Sequence, residues 1–206
     1  MAPVSLVLVV LTLSSALALD DQQSPPKAPT LIELAREHGG IEIASLACGY
    51  VGQPPTFEGV VRDAEVGIYG TVVGADAHLS ADGREVWTDY RVQPIQVVHE
   101  RTPSLLSTSL EPPTFTARGG TLIFEGLTIT EQFRQNGLEV ALNVGDEVVV
   151  LGATRQQRLT LDPSGVFMVR DGEVRSNGEL PGFSPDSQAV PLVTFLSRIC
   201  DLSAHH

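Results

Sequence analysis

Lysine is almost missing from this chain. Its 206 residues hold 13 Lys or Arg against 25 Asp or Glu, a formal net charge of −12. Lys27 is the only lysine, and it sits in a Ser/Pro stretch, Gln23-Ser24-Pro25-Pro26-Lys27. Chemistry that needs a positioned ammonium, such as a Schiff base, a phosphate-loop lysine or a Ser-Lys dyad, therefore has no candidate. The acidic balance argues against a surface that tracks phosphates, so nucleic acid is not an expected partner. Catalytic signatures are missing too: the chain has no Gly-x-Ser-x-Gly, no His-Glu-x-x-His, no phosphate loop and no Gly-x-Gly-x-x-Gly. Its two cysteines form no Cys-x-x-Cys, so no thiolate metal motif is present. Aromatic residues make up only 5%, but apolar residues reach 42%, enough to build a core and to exclude wholesale disorder. The length suits one domain, or at most two small ones.

Val4 to Leu19 form an apolar run without charge. Ala16-Leu17-Ala18 has the small-x-small pattern that signal peptidase accepts, and Leu19-Asp20-Asp21 opens a polar stretch. The run predicts a secretory signal peptide, residues 1–18, cleaved after Ala18. Retention as an anchor is the alternative, although the run falls short of the ~20 apolar residues that span a bilayer. Residues 19–29 read as a polar linker and 30–206 as one domain. No later stretch is apolar enough to cross a membrane, so the product is expected to be secreted or periplasmic. In that oxidising compartment Cys48 and Cys200 can pair as a disulfide. The bridge would restrict the unfolded chain by roughly 4–5 kcal/mol on the loop-entropy model. Two separate buried thiols are the alternative.

Thr30-Leu31-Ile32-Glu33 is a capping-box pattern, and Leu31, Leu34, Ala35 and His38 follow on one helical face up to Gly39-Gly40. A second short helix is expected through Phe57, Val60, Val61 and Ala64. From Val66 the texture becomes strand-like, with β-branched runs separated by turn dipeptides. Strands are expected over 66–73, 85–98, 114–118, 121–124, 127–130, 138–144, 147–151, 158–161, 166–170 and 173–175. Asp82-Gly83, Glu125-Gly126, Gly145-Asp146 and Asp171-Gly172 supply turns, the last of them a primed hairpin. In the second strand the apolar parity is even at Val86, Tyr90 and Val92 but odd at Ile95 and Val97, so a bulge or bend is expected at Pro94. Residues 99–113 and 178–187 read as loops. A final helix is expected from Gln188, with Pro191 in its first turn and a stripe of Leu192, Phe195, Leu196, Ile199 and Leu202. The expected fold is mainly β (α+β): a single antiparallel OB-like β-barrel with flanking N- and C-terminal helices, because many short strands must dispose of their edges.

The candidate functional residues are few. His205 and His206 close the chain, where ends fray. His38 reads as a helix-end cation and His99 as a solvated strand end. Asp76-x-His78 places a carboxylate and an imidazole on one side if the segment is extended, and Asp82 or Asp89 could complete a divalent-ion site. The polar Ser/Asp/Gly composition of a loop explains the same residues without a metal. Asp63 with Glu65, and Asp146 with Glu147, read as surface charge rather than as carboxylates across a cleft. Trp87-Thr88-Asp89-Tyr90 is the densest aromatic spot. If Val86, Tyr90 and Val92 face the core, then Trp87, Asp89 and Arg91 face outward, a surface suited to a sugar or peptide. Packing of Trp87 beneath a terminal helix is the alternative and the commoner fate of a lone large aromatic.

Three stretches carry a resemblance. They are Asp63-Ala64-Glu65-Val66-Gly67-Ile68-Tyr69-Gly70-Thr71-Val72-Val73, then Trp87-Thr88-Asp89-Tyr90-Arg91-Val92, then Val144-Gly145-Asp146-Glu147-Val148-Val149-Val150-Leu151. Across roughly 57–175 their pattern resembles a loose group of uncharacterised exported bacterial proteins with an OB-like β-barrel. The resemblance implies fold and export and transfers no catalytic residue. The functional expectation is an exported, non-enzymatic module without cofactor, an interaction or cell-envelope accessory protein whose partner is an unknown protein, peptide or glycan. The alternative is a metal-dependent hydrolase using His78, Asp76 and Asp89.

Overall fold

Turn chemistry and strand parity lay out most of the chain. The computed structural model describes residues 28–47, 55–101, 106, 111–135, 138–155, 158–177, 180–183 and 189–204. The leader, Lys27, Cys48, His205, His206 and most of the 99–113 loop beyond Arg101 lie outside the described residues. The elements run α1 (Leu31–His38), β1 (Ile41–Ala47), α2 (Phe57–Asp63), β2 (Val66–Leu79), β3 (Val86–Glu100), β4 (Thr114–Arg118), β5 (Gly120–Phe124) and β6 (Leu127–Gln135). They continue as β7 (Glu147–Arg155), β8 (Arg158–Arg170), β9 (Glu173–Ser176), β10 (Val190–Pro191) and α3 (Leu192–Ala204).

The protein is mainly β, and its larger sheet is ring-like. Antiparallel pairings join β7 to β2, β2 to β3 and β3 to β4. A parallel contact of Thr116 with Thr160 joins β4 to β8, and β8 returns antiparallel to β7. The order β2-β3-β4-β8-β7 thus closes on itself, and β9 and β10 extend it beyond β8. A second sheet, β1-β6-β5, stands beside the ring, where sequence reasoning expected a single one. In it β1 pairs parallel with β6.

Strand parity divides the core. One alternating set from all five ring strands forms a single buried cluster, with Ile68, Val72, Val92, Phe115, Val148, Val150, Leu161 and Val166 among its members. The opposite parity of β7 and β8, through Val149, Leu151, Phe167 and Val169, packs under α2 and α3. Consecutive valines in β7 are therefore buried on both faces, as their run implied. Phe57, Phe167, Phe183 and Phe195 meet there, with ring centroids 4.9–6.1 Å apart. A third cluster joins Leu31 and Ala35 of α1 to Val86 and Ile129 beneath the small sheet. The capping box that starts α1 is formed, Glu33 N–H donating to Thr30 Oγ1 and Thr30 N–H to the Glu33 carboxylate.

Several expectations change. β2 runs on to Leu79, so Asp76 and His78 belong to a strand and not to a loop. β1 was not foreseen, although Ile41 and Ile43 alternate with Glu42. Residues 158–161 and 166–170 belong to one strand, β8; its register against β7 jumps from Leu161 to Val166. Pro163 lies inside that jump, where its missing N–H removes no ladder bond. Of the alternating set Leu138, Val140, Leu142 and Val144, the first three are buried and Val144 is exposed, and only Leu138 makes a bridge, to Gln135, so no strand forms over 138–144. Periodicity there reported burial without pairing. α3 begins at Leu192, because Val190 and Pro191 pair with Val174 and Glu173 of β9.

The irregularity expected at Pro94 falls one residue later: the β2–β3 register skips Ile95. It skips Val98 as well, which resets the parity a second time. Ile95 and Val97, expected inward, are exposed, while Val98 and His99 are buried. Ile95 is itself the skipped residue, and Val97 is exposed although it stands opposite the buried Ile68. His99 is not a solvated strand end; its Nε2–H donates to Ala64 O at 3.0 Å.

Two tyrosines make the fold sensitive to alkali. Tyr69 donates its hydroxyl to the Glu147 carboxylate, and that bond lifts its pKa above the ordinary 10.0. Burial lifts that of Tyr90 in the ring interior. Both shifts favour the protonated phenol in the folded state. Their stabilisation is complete below pH 10 and is lost as pH rises through the folded values. Denaturant unfolding at pH 9 and 11 is expected to show falling stability, with a smaller fall in Tyr69→Phe. An equal fall in that variant would contradict the assignment.

Candidate functional site

β3 is central in the meander β2–β3–β4, and its register sets three rows side by side. Gly74, Arg91 and Thr114 form the first, Asp76, Asp89 and Thr116 the second, and His78, Trp87 and Arg118 the third. Directly opposed residues share a face. Val86, Thr88, Tyr90 and Val92 are buried on one side, so Trp87, Asp89 and Arg91 share the other, as parity predicted.

Each of these side chains is held. Arg91 lies across the bare backbone of Gly74, where a Cβ would come within 2.5 Å of its guanidinium nitrogens. Its Nη2 stands 3.0 Å from Asp76 Oδ2. Glycine at 74 thus lets an arginine cross a neighbouring strand. Asp89 accepts the Thr116 hydroxyl at 2.5 Å, and its other oxygen lies 3.7 Å from His78 Nδ1. Trp87 is half-buried and belongs to none of the three apolar clusters, including those that the helices cover. Its indole N–H donates to Glu85 Oε2 at 3.1 Å.

Sequence reasoning missed the charges beneath this face. Glu85 pairs at 2.8 Å with Arg118, whose Nε and Nη2 both stand 2.9 Å from Oε1 of Glu131. The Glu131 side chain is 1% exposed, and its Oε2 accepts the Val86 N–H at 2.6 Å. Arg118 also lies 4.6 Å from the Phe133 ring centroid, a cation–π distance. The one available signal was Glu131 standing two residues after Ile129, at a core parity of β6.

The metal-site residues do come together, but not as a metal site. Asp76, Asp89 and His78 share the face, yet the guanidinium on Asp76 puts a fixed positive charge where a cation would have to sit. Among the described residues no group of three His, Cys, Asp or Glu could hold a metal ion. A shallow cavity of about 400 Å³ lies elsewhere, at the β8–β9 hairpin, lined by Met168, Arg170, Glu173 and Arg175 among others. Cys200 is exposed on α3 with a free thiol 3.6 Å from Val98 O, and its expected partner Cys48 lies outside the described residues. Among the described residues no helix is long and apolar enough to cross a membrane.

Fold and face together define a mainly β protein with a ring-like sheet and an ordered outer patch of one aromatic and several charged side chains. No family model matches the chain, and no curated protein matches it.

Proposed function

We propose that the chain is an exported, non-enzymatic binding module, an interaction or cell-envelope accessory protein, whose ligand face is Trp87, Asp89 and Arg91. The observation that carries this reading is the lone tryptophan standing outside every apolar cluster while two charged neighbours are held beside it. Large aromatics left out of a core and flanked by fixed polar groups suit recognition of a ligand. The partner is a protein, peptide or glycan; the net charge of −12 weighs against nucleic acid. We read the ring as an OB-like barrel, and its strand order β2-β3-β4-β8-β7 supports that finer assignment. Export, with cleavage after Ala18, rests on the uncharged run and the Ala16-Leu17-Ala18 site. A Cys48–Cys200 bridge suits that compartment, and the exposure of Cys200 leaves it reachable.

The test is thermal unfolding of the wild type and of Trp87→Ala with panels of peptides and glycans. Binding to the native state raises the melting temperature by mass action. At least one probe is expected to raise the melting temperature of the wild type above its own probe-free value, and not that of the variant above its own. Equal stabilisation of both, or of neither by any probe, would sink the assignment of this face.

A further inference from the structure

We infer that the Trp87 face takes an uncharged oligosaccharide. The inference rests on the reading of that face as a ligand surface and names the class of ligand. With its indole N–H committed to Glu85, the surface that Trp87 still offers is carbon, which packs against the C–H face of a sugar ring. Beside it stand a carboxylate, Asp89, and a guanidinium, Arg91, on alternate residues of one strand. Hydroxyl groups both donate and accept, so neighbouring hydroxyls satisfy an acceptor and a donor set side by side. Trp87 to Arg91 covers roughly 14 Å of strand, longer than a single sugar ring.

The charges favour a neutral ligand. Arg91 and Arg118 supply two positive charges against Asp76, Asp89, Glu85 and Glu131, so 2 − 4 gives −2 with His78 uncharged, or −1 with it protonated. Polyanions are repelled, and cationic chains meet the exposed Arg91 on the same face. Peptides that bind by strand addition need a free sheet edge, and β3 is paired on both sides at Trp87, Asp89 and Arg91.

Trp87 is the only tryptophan in the chain, so fluorescence excited beyond the tyrosine absorption band reports on this face alone. The full-length protein would be titrated with cellohexaose, chitohexaose, mannohexaose and laminarihexaose, and in parallel with polygalacturonate and a tryptophan-free Thr/Val octapeptide. At least one neutral hexaose is expected to give a saturable spectral change that persists in 0.5 M salt. Asp89→Asn and Arg91→Ala should each weaken it about tenfold, as loss of a hydrogen bond to a charged group does. Gly74→Ala should weaken it too, by displacing the guanidinium without removing it. Response to the polyuronate or the peptide alone would overturn the neutral-sugar inference and leave the ligand face standing. Silence from every probe would overturn both, as would a sugar response that none of the three substitutions alters.

Discussion

Glu131→Ala is expected to destabilise the protein by about 3–5 kcal/mol, the range seen when one partner of a buried ion pair is removed. The carboxylate does three things at once. It neutralises Arg118, accepts the buried Val86 N–H, and ties β6 of the small sheet to β3 and β4 of the ring. Its loss leaves an amide without its acceptor and a largely buried guanidinium with Glu85 alone. Glu131→Gln keeps a carbonyl oxygen for Val86 and should lose less. Arg118→Met should lose as much as the alanine variant, because it strands the carboxylate in the interior. Urea unfolding with unchanged m-values measures all three. A loss below about 1 kcal/mol for Glu131→Ala would mean that the pair is solvated in the native state.

Phe167→Ala should cost about 3–5 kcal/mol by a different route, lost burial plus the cavity left behind. Phe167 is fully buried and meets Phe57, Phe183 and Phe195, so its ring holds α2 and α3 to the outside of β8. These contacts come from segments far apart in the chain, and local relaxation cannot refill the space. Phe167→Leu should recover roughly half of the loss by keeping most of the volume. The same denaturant series decides it. If the alanine variant matched the wild type, the helices would not depend on this aromatic cluster.

What was legible in the sequence was local. The capping box at Thr30, the reversals at Glu125-Gly126 and Asp171-Gly172, and the stripe on α3 are written in adjacent residues, and each is formed. Both turns carry the positive backbone φ that the dipeptides implied, at Glu125 and Asp171 as well as at their glycines. The outward parity of Trp87, Asp89 and Arg91 was equally legible, because a single alternation spans 86–92. Parity failed beyond Pro94: Ile95 is itself the extra residue, Val97 is exposed although it stands opposite the buried Ile68, and the sequence shows no sign of the second skip, at Val98. The parallel pairing of β1 with β6 joins segments nearly ninety residues apart, which no local pattern encodes. Of the site, the ring of charges from Glu85 through Arg118 to Glu131 was invisible for the same reason, since its members meet only after three strands have paired. Gly74 looked like an ordinary small residue until the path of Arg91 across it explained its size.

The most direct test of the central claim follows backbone and indole amide shifts of the full chain as a stabilising glycan or peptide is added. The single indole signal of Trp87 and the amides of residues 76, 78, 89 and 91 are expected to move together and saturate together, with those of the small sheet and the β8–β9 hairpin unmoved. Shifts centred on that hairpin, with Trp87 unmoved, would contradict the account.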